Sequence, residues 1–114
     1  MMNRRGVILL AISGCLAGCG PAPPQSFVSP DGKRTVTTVI NRDKTDRTKY
    51  LCVKFKITDA SGKVEFEHQT GASNVMQWSM AWDGNDKIIL RSSDIGDQAW
   101  QLGPDGVWKS ASAR

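Results

Sequence analysis

After residue 30, apolar and polar residues alternate with a period of two. Turn signals break the alternation at intervals of about ten residues, the spacing of strands in small sandwiches and barrels. Residues 49–58 are the clearest run. Leu51, Val53, Phe55 and Ile57 fall on one face, and Tyr50, Cys52, Lys54 and Lys56 on the other. Successive side chains of a strand point to opposite faces, so this run predicts a half-buried strand. Residues 35–41 are a β-branched run, Val36-Thr37-Thr38-Val39-Ile40, which a pleated surface accommodates better than a helix does. Residues 63–70 place Val64 and Phe66 inward and Glu65 and Glu67 outward, and residues 71–74 break the pattern. Residues 75–82 set Met76, Trp78, Met80 and Trp82 on one face, and shorter strands follow at 87–92, 98–102 and 107–109.

The separators carry turn chemistry. Ser29-Pro30-Asp31-Gly32-Lys33, Asp59-Ala60-Ser61-Gly62, Asp83-Gly84-Asn85-Asp86 and Gly103-Pro104-Asp105-Gly106 combine residues that tolerate positive φ with side chains that bond their own backbone. Residues 42–48 form a longer charged loop and residues 93–97 another. No helical period occurs between residues 27 and 110. The pattern predicts an all-β domain of about seven strands, a small antiparallel meander closed into a sandwich or barrel. Ser29-Pro30-Asp31-Gly32-Lys33 resembles a turn of TolB-like and WD-type β-propeller blades, and residues 82–108 share a blade-like rhythm. That resemblance implies β structure only, since a propeller needs at least about four four-stranded blades.

The first residues follow another logic. Asn3-Arg4-Arg5 is a short positive region, and an apolar run from Val7 reaches Leu16. It is too short for a membrane-spanning helix, which takes about 20 residues. Leu16-Ala17-Gly18-Cys19 then resembles the lipobox of bacterial lipoproteins. The resemblance implies a signal helix over residues 1–18, cleavage between Gly18 and Cys19, and transfer of a diacylglycerol to the Cys19 thiol, with acylation of the new amine. Two or three acyl chains anchor a protein firmly where one holds it marginally. Ile12-Ser13-Gly14-Cys15 is a poorer match, because it would leave an apolar region of about six residues where 7–15 is usual. Gly20 stands where an aspartate often signals inner-membrane retention in such lipoproteins, so the resemblance favours the outer membrane in a two-membrane host.

Residues 19–30 read as the lipidated cysteine and a linker, and residues 31–114 as the β-domain. Pro21, Pro23, Pro24 and Pro30 favour extended geometry, a spacer of roughly 30 Å. With Cys15 removed and Cys19 alkylated, Cys52 is left without an intramolecular partner. It is either a small buried hydrophobe or a thiol that pairs between chains. The domain must then rely on its core, which is only marginally sufficient at this size.

Charge adds a polarity. The formal charge is +4, and loss of Arg4 and Arg5 leaves +2. Residues 33–56 hold eight bases against Asp43 and Asp46, whereas residues 57–114 hold five bases against eight acids. Arg42, Lys44, Arg47 and Lys49 flank one loop, with Lys54 and Lys56 on the outward face of the next strand. They suit anionic headgroups, lipopolysaccharide phosphates or an acidic protein. The plainer reading is solvated charge that discourages edge pairing. Nucleic acid is not expected in this compartment.

Catalytic signals are weak. His68 is the single histidine, in phase with Val64 and Phe66, and reads as structural. Asp94 with Asp97 and Glu65 with Glu67 are pairs that any β-protein offers. No metal or cofactor is expected. Asp83, Asn85 and Asp86 offer oxygen ligands without EF-hand spacing. Trp78 and Trp82 read as core, while Trp100 and Trp108 are candidates for an exposed aromatic surface for a glycan or protein. The expectation is therefore a membrane-anchored envelope lipoprotein, lipid-bound through Cys19. Its non-catalytic domain would bind an envelope protein or glycan through Arg42, Lys44, Arg47, Lys49, Trp100 or Trp108. The alternative is an inhibitor of a secreted hydrolase such as lysozyme. Tyr50-Leu51-Cys52 resembles the first strand of small lysozyme-inhibiting lipoproteins, but their disulfide framework and inhibitory loop are missing.

Overall fold

The computed structural model describes residues 23–113. Those residues form eight strands: β1 (Gln25–Val28), β2 (Arg34–Ile40), β3 (Cys52–Asp59), β4 (Val64–Ser73), β5 (Trp78–Trp82), β6 (Lys87–Ser92), β7 (Gln98–Leu102) and β8 (Trp108–Ala111). They make two four-stranded antiparallel sheets, ordered β1-β2-β3-β4 and β5-β6-β7-β8. Each sheet is a meander of sequential neighbours, and the two pack face to face. The described residues are all-β.

The alternation sorts the faces. Val36, Ile40, Val53, Phe55 and Ile57 of the first sheet meet Met80, Ile88, Leu90, Trp100 and Trp108 of the second in one core. Phe55 is its centre, with ring centroids 4.9 Å from Trp100, 5.8 Å from Phe66 and 5.9 Å from His68. Cys52, at the start of β3, is free and buried, and burial pushes its thiol pKa up.

Several expectations about elements change. Residues 49–51 and 75–77, expected within strands, lie in loops before β3 and β5, which leaves Met76 exposed instead of on the inner face. Residues 25–28, expected within the linker, are strand β1, paired to β2 from Gln25↔Thr38 to Val28↔Thr35. Ser26 Oγ lies 3.0 Å from Thr37 Oγ1, and the Trp82 indole N–H donates to the Phe27 carbonyl at 2.8 Å. The prolines before it hid a strand of four residues, so the described residues hold eight strands rather than seven.

Residues 71–74 do not end β4, which runs to Ser73. A register shift lies between Cys52 and Lys54 of β3, where β4 carries extra residues. Thr70 Oγ1 fills the gap, donating to Val53 O at 2.7 Å and accepting from the Ala72 N–H at 3.1 Å. Side-chain bonds satisfy the backbone that the bulge frees.

A second shift, between Ile57 and Thr58, moves Val64 onto the outer face, where it is exposed. The same shift lets Glu65 reach the other sheet, so Glu65 and Glu67 do not share one solvated face.

The two ends of the sandwich differ. At the far end sit the four tight turns, each with a glycine at positive φ (Gly32, Gly62, Gly84 and Gly106). The near end carries the longer loops 41–51, 74–77 and 93–97. Because Gln25 pairs with Thr38, the chain also enters the domain at the near end.

Candidate interaction surface

The loop of residues 41–51 is folded by its own acids. Asn41 Nδ2 donates to Asp46 Oδ2 at 3.1 Å, and Asn41 Oδ1 accepts from the Asp43 N–H at 2.9 Å. Asp43 Oδ1 accepts from the Thr45 N–H at 2.9 Å, and Asp46 Oδ1 from the Lys49 N–H at 3.2 Å. Hydrogen bonds from the Thr45 hydroxyl and N–H hold the Asp43 carboxyl below its ordinary pKa, so it stays ionised while it shapes the turn.

The loop closes through Leu51, a non-glycine residue at φ 65°. Its N–H donates to Asn41 O at 2.7 Å, and its carbonyl accepts from the Asn74 N–H at 2.9 Å. That second bond ties the loop to the end of β4. The left-handed backbone is disfavoured for a branched residue. Packing of the Leu51 side chain against the core opposes that cost.

With both acids occupied, the bases are left outside. Arg42, Lys44 and Arg47 are exposed, Lys49 is half-buried, and none makes an ion pair with a described residue. Lys54 and Lys56 continue the positive surface on the outer face of β3, in register with Val39 and Thr37 of β2. Lys56 lies opposite Glu67 of β4, which offsets part of its charge.

The two tryptophans expected at an exposed surface are core. Trp100 is 3% exposed and Trp108 is 5% exposed. Their strands carry them onto the inner face, where Trp100 meets Phe55 and His68, and Trp108 lies 6.1 Å from Trp82 and 6.4 Å from Phe66. The Trp108 indole N–H donates to Glu65 Oε1 at 3.1 Å, and that oxygen also accepts from Arg34 Nε at 2.9 Å. An anionic oxygen thus satisfies the buried indole donor from the opposite sheet, and Arg34 reaches Asp86 at 3.6 Å as well. Trp78 and Trp82 are only partly buried but also pack on the core. One strand pattern could not separate these four rings, because a short sheet buries its centre and not its rim.

His68 is exposed at the rim of that core. Its ring lies 6.1 Å from Phe66, nearly parallel, and 5.1 Å from Trp100. Desolvation lowers its pKa below the ordinary 6.5. An open groove of about 400 Å³ runs past it, lined by Asp97, Gln98, Trp100 and Ser110. A second, of about 450 Å³, lies beside Gln77, Trp78, Ser79 and Ser93, with the Arg91–Asp97 ion pair of 2.8 Å at its edge. Asp83, Asn85 and Asp86 serve the turns. Asn85 Oδ1 accepts from the Asp31 N–H at 2.9 Å, tying the far turns of the two sheets. Among the described residues no group of three or more His, Cys, Asp and Glu side chains converges. Gly18, Cys19 and the signal segment lie outside the described residues.

Against protein-family models, curated proteins and solved structures, the chain matches none.

Proposed function

We propose that the chain is a lipid-anchored protein of the bacterial envelope, whose β-domain binds a protein or envelope component through the basic loop without catalysing a reaction. The anchor rests on the order of positive residues, apolar run and Leu16-Ala17-Gly18-Cys19 in the sequence. The binding surface rests on one observation: the loop of residues 41–51 turns Asp43 and Asp46 into its own scaffold and leaves Arg42, Lys44 and Arg47 exposed and without an ion pair among the described residues. Burial of Trp100 and Trp108 takes them out of that surface.

Two measurements test the reading. Cys19→Ser abolishes lipid labelling and releases the protein from membranes; continued labelling would move the anchor to Cys15 or remove it. Affinity capture from envelope extract, with Cys19 intact, loses its partner when Arg42, Lys44 and Arg47 are all changed to Glu. An unchanged partner set would sink this surface.

A further inference from the structure

The near end of the sandwich gathers three features that the sequence keeps apart. The first is the tether. Gln25 begins β1 at this end, so Gly20–Pro24 is all that separates it from Cys19. Even fully extended, those steps span at most about 20 Å. The spacer is thus shorter than the roughly 30 Å expected when residues 25–30 counted as linker.

The second is the positive loop. It leaves β2 at Ile40, two residues past the Thr38 that pairs with Gln25.

The third is apolar. Val75 is 76% exposed, Met76 44%, Ile95 41% and Tyr50 38%, and all four lie on near-end loops. Those loops are knitted into one platform. The Asn74 N–H donates to Leu51 O at 2.9 Å, the Ser73 N–H to Asp94 Oδ2 at 3.0 Å, and the Ser93 N–H to Gln77 O at 2.9 Å. Of the other acids at this end, Asp97 is paired with Arg91, while Asp94, like Asp43 and Asp46, accepts neutral hydrogen bonds and keeps its charge, so three carboxylates stand against Arg42, Lys44, Arg47 and Lys49. The exposed valines of the far end, Val28, Val64 and Val107, flank turns that hold no comparable basic loop.

We infer that the near end rests on the membrane that carries the anchor: Val75, Met76, Ile95 and Tyr50 seat at the headgroup boundary while Arg42, Lys44 and Arg47 engage anionic phospholipid headgroups. Apolar tips ringed by bases bind anionic interfaces by combining burial with attraction to the negative surface. Each net positive charge adds about a fivefold factor near such a surface, and Asp43, Asp46 and Asp94 subtract from the count. The tether makes the contact intramolecular, at an effective concentration in the millimolar range for short linkers. A contact too weak to recruit a free domain therefore suffices. The inference rests on the anchor reading and adds to it the orientation of the domain and the chemistry that the basic loop meets.

The test uses the lipidated full chain in a Cys52→Ala background. An environment-sensitive fluorophore is placed at Val75→Cys or, as a control, at Val107→Cys on the far end. The protein is reconstituted into vesicles of phosphatidylcholine, alone or mixed with phosphatidylglycerol, containing a lipid-borne quencher. Position 75 is expected to shift to the blue and to be quenched several-fold more than position 107, with the difference growing as phosphatidylglycerol is added. Changing Arg42, Lys44 and Arg47 to Glu abolishes that growth, and circular dichroism checks that the variant is folded. Equal quenching at the two positions in an anchored protein overturns the inference and leaves the anchor reading intact. Shielding that rises with protein density instead of anionic lipid assigns the end to a second copy and also overturns it. Loss of lipid labelling overturns the anchor reading, and this inference with it.

Discussion

Glu65 shows how much one side chain carries across the interior of this protein. Its Oε1 is the acceptor for both Arg34 Nε and the buried Trp108 indole N–H. Removing the acceptor leaves a desolvated donor, which costs about 1–3 kcal/mol. Glu65→Leu is therefore expected to lower unfolding stability by that amount in urea titrations followed by tryptophan fluorescence. Glu65→Gln keeps an acceptor oxygen and is expected to cost about 1 kcal/mol or less. Equal losses for the two variants would mean that the charge on Arg34, and not the indole, sets the cost. In the sequence Glu65 reads as a solvated outward residue. Its role depends on a one-residue register shift in β4, which alternation cannot report.

Elements were legible where local chemistry decides them. The far-end turns fall where Asp, Gly, Pro and Asn cluster. Asp59 Oδ1 accepts from the Ser61 and Lys63 N–H groups at 2.9 and 3.0 Å, which is the local bonding that makes Asp a turn former. The Ser61 hydroxyl, donating to the same oxygen at 2.6 Å, and then the Lys63 N–H hold the Asp59 carboxyl below its ordinary pKa. Gly62 in the same turn sits at φ 92°, with open space where a Cβ would go. Gly62→Ala is expected to cost about 1–2 kcal/mol, wholly from backbone conformation. Gly71 also faces open space, but without positive φ. Gly71→Ala is expected to be neutral or stabilising by up to about 1 kcal/mol. Thermal melts of the two variants separate these outcomes, and a loss at Gly71 comparable to that at Gly62 would refute the conformational account. β1 and the end of β4 escaped sequence reading for related reasons. Four residues behind prolines have too little pattern to count, and Gly71-Ala72-Ser73-Asn74 has turn composition while bulging inside a strand.

At the scale of the molecule, neither sheet has a core of its own. Val36, Phe55 and Ile57 are buried only because Ile88, Leu90 and Trp100 face them from the other sheet. Short two-layer β structures gain independent stability from such packing. The two sheets are therefore expected to unfold in one cooperative transition. Phe55→Leu in the first sheet and Leu90→Ala in the second should each shift that transition as a whole, Leu90→Ala by about 2–5 kcal/mol. Far-ultraviolet circular dichroism and tryptophan fluorescence should report coincident midpoints. A two-step melt in either variant would show that the sheets fold separately.

The same scale decides what the basic loop is next to. Arg42, Lys44 and Arg47 were identifiable as candidates from charge alone, and they remain exposed. The pairing of Gln25 with Thr38 puts that loop at the end where the chain enters, and hydrogen bonds from Asn74 to Leu51 and from Ser73 to Asp94 join it to the loops that carry Val75, Met76 and Ile95. By itself the sequence determined the all-β class, the turns and most strand positions, because period-two alternation and turn chemistry act within a few residues. Tertiary structure alone decided that Trp100 and Trp108 are core and that Glu65 bridges the sheets. It also decided that tether, bases and apolar tips share one end. Each of these depends on register and on which sheet lies opposite, and a single slipped residue moves a side chain to the other face.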